Sequence, residues 1–176
     1  MNILKHTVAI TEKPDRQSLV FHPVDNLAVV PPRHYTLEAC LNGDGNYRLI
    51  LGRCYYFEKS KMNHTAAAHN CKDNHKGVLF EPRTISESDL IHHAVMEMNI
   101  LPKKEDAVHI GINELKEEGK FVYDSSELPI FFENWRSGFG NRTTNDCVMI
   151  SHLESPKWID GNCNYHGPSI CHVPIL

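Results

Sequence analysis

Short apolar stretches, one of them with a clear two-residue period, recur along the chain from residue 54 onwards. Val148 and Ile150 alternate with Met149 and Ser151, which is the pattern of a half-buried strand. Other apolar runs, bounded by turn-forming residues, predict further short strands at 54–57, 78–80, 109–112, 121–123 and 170–171. The pattern therefore predicts several short antiparallel strands rather than a few long ones.

Two segments change to the 3.6-residue period of a helix. Asn63 is a capping residue before 64–75, where Ala67 and Cys71 lie one turn apart, and Gly77 ends the segment. Thr84 or Ser86 opens a second helix, predicted over 85–99, whose apolar face carries Leu90, Ile91, Ala94, Val95 and Met98. Helices mixed with short strands predict an α+β fold.

Glycine-rich turns predict two hairpins. Residues 42–45 (Asn-Gly-Asp-Gly) lie between Cys40 and Cys54, which predicts a turn there. Asp160-Gly161-Asn162 predicts a tight turn after Trp158, so that 147–171 forms a cross-linked hairpin. Residues 128–145 show no periodicity, and irregular segments of this length in a small domain are usually functional.

The N-terminal region differs in composition from the rest of the chain. Residues 1–39 hold no cysteine and several prolines, and their short β-like runs are interrupted by turn residues. We interpret 1–39 as an extension or linker and 40–176 as the folded domain, since 176 residues suit one domain with an extension.

Charge and cysteine content limit the possible functions. The chain has 18 basic and 22 acidic residues with no basic block, so no nucleic-acid partner is predicted. No apolar run reaches the roughly 18–20 residues of a membrane span, and the first residues lack the apolar core of a signal peptide. Six cysteines without a CxxC motif predict disulfides, hence an extracellular protein. We therefore expect a processed chain, either secreted or the ectodomain of a membrane protein.

These features together resemble a C-type lectin-like domain of the long form, from Cys40 to about Pro174. The matching residues, in chain order, are Cys54-Tyr55-Tyr56-Phe57, Ala67-x-x-x-Cys71, a helix after Ser86, His109-Ile110-Gly111-Ile112, Asn134-Trp135, Asn145-Asp146-Cys147-Val148, Trp158-x-Asp160 and Cys171. The resemblance implies two helices flanking small antiparallel sheets, a long irregular loop region, and the disulfides Cys40–Cys54, Cys71–Cys171 and Cys147–Cys163.

The resemblance also implies where calcium and sugar would bind, because sugar-binding members hold calcium in the loops between Trp135 and Asp160. The positions of the family's calcium ligands fall here on Phe139-Gly140-Asn141, Asn145 and Trp158-Ile159-Asp160. Phe139 and Ile159 offer no side-chain oxygen, whereas calcium takes six to eight hard oxygen ligands. Only Asn141, Asn145 and Asp160 remain as residual ligands, so we expect no resident metal and at most weak calcium binding.

The function expected from this sequence is recognition rather than catalysis. With the cysteines paired there is no thiol nucleophile, and no local motif supports an enzyme. The chain has twelve histidines, but neither His64 and His69 nor His92 and His93 have metal-ligand spacing on one helix face. We expect calcium-independent binding of an extracellular protein or another non-classical ligand. The alternatives are a lectin with residual calcium dependence, or a protein that binds ice or mineral surfaces. The predicted ligand loop comprises Arg136, Phe139, Asn141, Arg142, Asn145, Ile159 and Asp160.

Two sequons predict N-linked glycosylation. They begin at Asn63 and Asn141. Asn63 also suits a helix N-cap, which competes with modification. A glycan on Asn141 would cover the sugar site that the resemblance implies.

Overall fold

The computed structural model describes residues 33–43, 45–103, 106–142, 144, 146–152 and 157–175, which lie in one compact unit. Most of the predicted extension, together with Asn145, lies outside the described residues. No described helix is long and apolar enough to cross a membrane.

The elements are α1 (Arg33–Asn42), β1 (Tyr47–Ile50), β2 (Arg53–Met62), α2 (His64–His75), β3 (Val78–Leu79), α3 (Ile85–Glu97), β4 (Ala107–Asn113), β5 (Val122–Tyr123), β6 (Cys147–Ser151), β7 (Trp158–Gly161) and β8 (Gly167–Val173).

The strands form two antiparallel groups that meet at one parallel contact. The strand order is β1-β2-β8-β4-β6-β7, with β3 pairing β8 and β5 pairing β4. Strands β4 and β8 pair in parallel, where His109 faces Ser169. The remaining strand pairs are antiparallel. This arrangement confirms the predicted α+β fold.

Both predicted helices are present and both begin with a side-chain cap. The Asn63 side chain accepts the backbone N–H of Ala66 at the start of α2, and Thr84 accepts that of Glu87 at the start of α3. These bonds satisfy donors that have no partner within a helix. Of the two predicted starts of α3, Thr84 is the capping residue.

The main core lies between α3 and the strands. Trp158, Tyr55, Tyr123, Phe57 and Phe80 are its largest fully buried side chains. A smaller core around Ala67 and Leu79 contains both Cys40–Cys54 and Cys71–Cys171. The third disulfide is Cys147–Cys163. These are the three pairings that the resemblance implies.

The hairpin predicted around 42–45 is wrong, although Gly43 and Gly45 do lie in turns. Residues 33–42 form helix α1, and the hairpin turn falls at Leu51-Gly52 between β1 and β2. Both turn residues have positive φ, 50° and 73°, which is the backbone that a two-residue hairpin requires. Helix α1 runs across the predicted boundary between residues 39 and 40.

The predicted hairpin from 147 to 171 is also wrong. Asp160 and Gly161 lie within β7, opposite Val148 and Cys147 of β6. The tight turn follows β7 and spans residues 162–165, where the N–H of Tyr165 bonds the carbonyl of Asn162. Strand β8 pairs with β2, and β4 lies between β8 and β6. Gly161 suits this strand because a Cβ there would collide with the Met149 side chain.

Candidate functional site

The predicted ligand loop begins on the core, at two tryptophans. Trp135 forms an isolated parallel bridge with Trp158 of β7, and their rings meet edge to face with centroids 5.6 Å apart. The backbone N–H of Arg136 then bonds the carbonyl of Trp158 at 2.9 Å. Because Trp158 is fully buried, the start of the loop is fixed to the core of the domain.

Phe139 lies between two arginines. The guanidinium carbon of Arg142 lies 4.0 Å from the ring centroid and that of Arg136 lies 5.6 Å from it. Guanidinium groups are attracted to aromatic faces at such distances. The Phe139 N–H bonds the carbonyl of Arg136 at 3.0 Å, and Nε of Arg142 donates to the carbonyl of Gly138 at 3.4 Å. The loop therefore presents a charged aromatic stack, not an open apolar surface.

Gly140 lets the loop backbone lie directly against Trp135. Its φ is +88°, and a Cβ added there would come within 2.6 Å of the indole ring. Only glycine combines this backbone conformation with so close an approach. Gly140 thus has a packing role in this loop.

Asp160 holds the loop to β7. Its side chain is buried, and Oδ2 accepts the backbone N–H of Arg142 at 2.9 Å. Oδ1 has no hydrogen-bond partner among the described residues. In the turn predicted at 160–162 the Asp160 side chain would accept a backbone N–H near Gly161; the structure instead gives it a donor from across the loop. One of its two oxygens is therefore already committed to loop structure.

The structure brings together four of the seven predicted loop residues: Arg136, Phe139, Arg142 and Asp160. Asn141 is exposed beside Arg142. Ile159 is half-buried on β7, paired with Met149 of β6. Asn145 lies outside the described residues. At the base of the loop, Lys157 donates from Nζ to Oδ1 of Asn134 at 2.8 Å.

A cluster of three carboxylates is a second feature, and the sequence reasoning missed it. Glu114 directly follows β4, Glu118 lies in the next loop, and Asp146 directly precedes β6; one oxygen from each lies within 4.8 Å of the others. The backbone N–H of Glu114 bonds the carbonyl of Asp146 at 2.8 Å. The strand pairing of β4 with β6 therefore brings these distant sequence positions to one place.

Glu114 is the buried member of this cluster. It is 3% exposed; Oε2 accepts the N–H of Gly119 at 2.6 Å, while Oε1 has no partner among the described residues. Burial raises the pKa of Glu114, and the nearby carboxylates of Glu118, Asp146 and Asp160 raise it further. A buried, unpartnered carboxylate oxygen beside two other carboxylates suits a hard cation such as calcium, which takes oxygen ligands.

Comparison with known proteins places these features in a family. The model of the Lectin C-type domain matches residues 60–173. Collectin-10 of Gallus gallus is 29% identical over 119 residues, which are 66% of this chain and 40% of the collectin. The tetranectin-like protein of Carcharhinus perezii is 29% identical over 137 residues, 77% of either chain. Human lithostathine has the same fold, with a TM-score of 0.66 at 20% identity over 77% of this chain and 93% of its own.

Proposed function

Because the chain belongs to the C-type lectin domain family, we propose that it is an extracellular recognition module, not an enzyme, whose ligand loop binds a protein without calcium in that loop. The observation that carries this proposal is the Arg136–Phe139–Arg142 stack on a loop held by buried Asp160. Three cysteine pairs support an extracellular setting.

The chemistry of the loop argues against calcium-mediated sugar binding there. Sugar hydroxyls need ligand oxygens that are shared with the ion, and Phe139 and Ile159 supply none. Asp160 already gives one oxygen to the Arg142 N–H. Two guanidinium groups beside the ring would also repel a dication. Rigid aromatic and arginine side chains are, by contrast, typical of protein-binding hot spots.

Parallel binding screens test this function. The folded domain is screened in chelator against a random-peptide phage library and a glycan array, and the glycan array is repeated with calcium. We expect peptide ligands whose binding is lost in Phe139→Ala and kept in Phe131→Ala, since Phe131 is an exposed aromatic outside the loop. Glycan binding that needs calcium and is lost in Asp160→Asn would instead support the lectin alternative.

We also propose that the acidic cluster of Glu114, Glu118 and Asp146 holds one calcium ion. The orphaned, buried Oε1 of Glu114 supports this proposal. When bound, the ion would neutralise the cluster and join the loop after β4 to the start of β6. The residues that would hold it are separate from the stack on Phe139, so this site and a calcium-independent ligand loop are compatible.

Calorimetric titration and thermal unfolding test the calcium proposal. We expect millimolar calcium to raise the melting temperature reversibly, because a ligand that binds only the folded state stabilises it. Glu114→Gln should weaken binding about tenfold or more, since it removes a charged ligand. Glu117→Gln is the matched control, because Glu117 lies in the same loop and pairs with Lys120. No calcium response in the wild type, or equal loss in both variants, would contradict the proposal.

A further inference from the structure

We propose that the ligand loop selects an acidic segment of its protein partner, whose carboxylates pair with Arg136, Arg142 and Lys157. This inference rests on the proposed function and names the chemistry of the ligand.

Arg136, Arg142 and Lys157 have no carboxylate partner in the described part of the chain, whereas five other cations have one. Arg53, Arg83, Lys61, Lys116 and Lys120 each lie within 4.0 Å of a carboxylate oxygen. Among the described residues, no carboxylate lies that close to the side-chain nitrogens of Arg136, Arg142 or Lys157. Asp160 is buried and bonds the backbone of Arg142, not its guanidinium. Three cationic side chains therefore lie in or next to the loop of a chain whose net charge is −4.

The geometry of the two arginines suits carboxylates. Both guanidinium groups lie against one Phe139 ring, so they are neighbours with defined positions. Stacking on the ring leaves the planar N–H groups available at their edges, and these match a carboxylate with two parallel hydrogen bonds. Lys157 adds a third donor at the base of the loop, where Asn134 positions its ammonium. A segment with several carboxylates could engage all three groups.

The loop is held in place before any ligand arrives. The backbone N–H groups of Arg136 and Phe139 donate hydrogen bonds to the carbonyls of Trp158 and Arg136. Arg142 donates its backbone N–H to Asp160 and its Nε–H to the carbonyl of Gly138. Preorganisation of this kind lowers the entropy cost of binding. The contacts of both guanidinium groups with the Phe139 ring also hold the arginine side chains, which lowers the entropy cost of forming ion pairs relative to free surface arginines.

Sugars and long polyanions fit this surface less well. A sugar would stack on an open aromatic face, whereas guanidinium groups lie over the Phe139 ring. A long sulfated polysaccharide needs an extended basic surface, but the chain has more acidic than basic residues, 22 against 18. A short acidic peptide needs only the local cluster, and half-buried Ile159 can contact its apolar side chains.

Fluorescence anisotropy in chelator tests this selection. The probe is a fluorescein-labelled peptide of alternating glutamate and leucine, and the same peptide with lysine in place of glutamate is the reference. We expect Arg136→Gln/Arg142→Gln to weaken binding of the acidic probe about tenfold or more, because two charge-assisted pairs are lost. The control variant Lys59→Gln/Lys103→Gln also removes two positive charges, but from outside the loop. It should change the affinity for the acidic probe less than about twofold, because salt screens distant surface charges.

Several results would overturn the inference. These are equal binding of the acidic and basic probes, equal loss in the two double variants, or heparin binding that exceeds the acidic probe and is lost with the same arginines. Thermal unfolding checks that the variants fold. Arg136→Lys/Arg142→Lys keeps the charge without the planar fork, and should retain part of the affinity.

The peptides selected from the random library separate this inference from the proposed function. Loop-dependent peptides that are rich in aspartate and glutamate support both. Loop-dependent peptides without acidic enrichment leave the proposed function standing and overturn the acidic partner. A library that yields no peptide sensitive to Phe139→Ala, together with no binding of the acidic probe, contradicts both.

Discussion

Gly140 shows how one residue controls the ligand loop. Replacing it by alanine places a Cβ within 2.6 Å of the Trp135 indole at a φ of +88°. We expect Gly140→Ala to lower the free energy of unfolding by about 2–4 kcal/mol, because the unfavourable backbone conformation and a clash with a packed ring add together. Urea unfolding followed by tryptophan fluorescence measures the loss.

Gly138→Ala is the matched control for that change. Gly138 also has positive φ, +81°, but no atom lies within 4 Å of its added Cβ. We expect a loss of only about 1 kcal/mol, from the backbone alone. Equal losses in the two variants would show that contact with Trp135 does not hold the loop.

His109 predicts a pH dependence of stability. Burial lowers its pKa to about 4 from 6.5, against the opposing effect of its hydrogen bond to the Tyr165 carbonyl. Below pH 6.5 the unfolded state binds a proton that the folded state does not, so stability falls as the pH is lowered towards 4. We expect this residue to account for about 2 kcal/mol of the loss between pH 7 and pH 5.

Urea unfolding of His109→Gln at both pH values checks this contribution. The variant cannot titrate at that position, so its stability should fall less between pH 7 and pH 5 than that of the wild type, whatever its absolute value. An unchanged difference would mean that His109 is not the group responsible.

Single residues were easier to identify from the sequence than their partners. The two capping side chains follow from local motifs, and the positions of Phe139 and Asp160 in the loop region follow from the family resemblance. The donor to Asp160 does not, because Arg142 reaches it only through the path of an aperiodic loop. Sequence spacing carries no information about such contacts.

At the scale of elements, Glu87 joins the start of α3 to β2. This buried carboxylate accepts bonds from the Tyr55 hydroxyl at 2.6 Å, the Arg83 backbone at 2.8 Å and Arg53 at 3.2 Å. We expect Glu87→Gln to lower the free energy of unfolding by about 2–4 kcal/mol. The buried amide NH2 of glutamine would face N–H and O–H donors that now bond the carboxylate, and Arg53 would lose its charged partner. Chemical denaturation measures the change.

Glu97→Gln is the control on the same helix. The Glu97 side chain is 68% exposed, and its one ion pair among the described residues is with exposed His93. Its substitution should change stability by no more than about 0.5 kcal/mol. If both substitutions lowered the free energy of unfolding by a similar amount, the cause would be the change in helix propensity and not the loss of the buried hydrogen bonds of Glu87.

Element prediction succeeded where periodicity and caps agreed. Helices α2 and α3 lie within two residues of their predicted bounds because each has a cap and an apolar face. Helix α1 was missed since the prolines before it and the glycines after it suggested loops. Strand β7 was missed because Asp-Gly-Asn is normally a turn signal, whereas here tertiary packing against Met149 keeps Gly161 in a strand.

At the scale of the whole molecule, the carboxylate cluster shows what sequence alone could not reveal. Glu114 and Glu118 lie four residues apart after a buried strand, and Asp146 is adjacent to Cys147; each has an ordinary polar explanation by itself. Only the antiparallel pairing of β4 with β6 makes them one site. The family resemblance drew attention to the loop instead, and so the residual calcium ligands expected from the sequence, Asn141, Asn145 and Asp160, all lie there.

The disulfides predict how stability is distributed over the whole chain. Cys71–Cys171 joins α2 to β8 across a sequence separation of 100, whereas Cys147–Cys163 spans only 16. In the chain-entropy model these bonds contribute about 4.7 and about 3 kcal/mol. We therefore expect Cys71→Ala/Cys171→Ala to lower the free energy of unfolding by about 1–2 kcal/mol more than Cys147→Ala/Cys163→Ala does.

The burial of the cysteines affects the size of both losses but not their expected order. Cys71 and Cys171 are fully buried in the smaller core, while Cys163 is half-buried. Alanine, unlike serine, places no hydroxyl in that core. The packing lost with the two buried sulfur atoms adds to the stability lost when the chain is no longer cross-linked. Urea denaturation of the two double variants under identical conditions gives the comparison. A greater loss from Cys147→Ala/Cys163→Ala would mean that rigidity between β6 and the end of β7 contributes more to stability than closure of the whole domain.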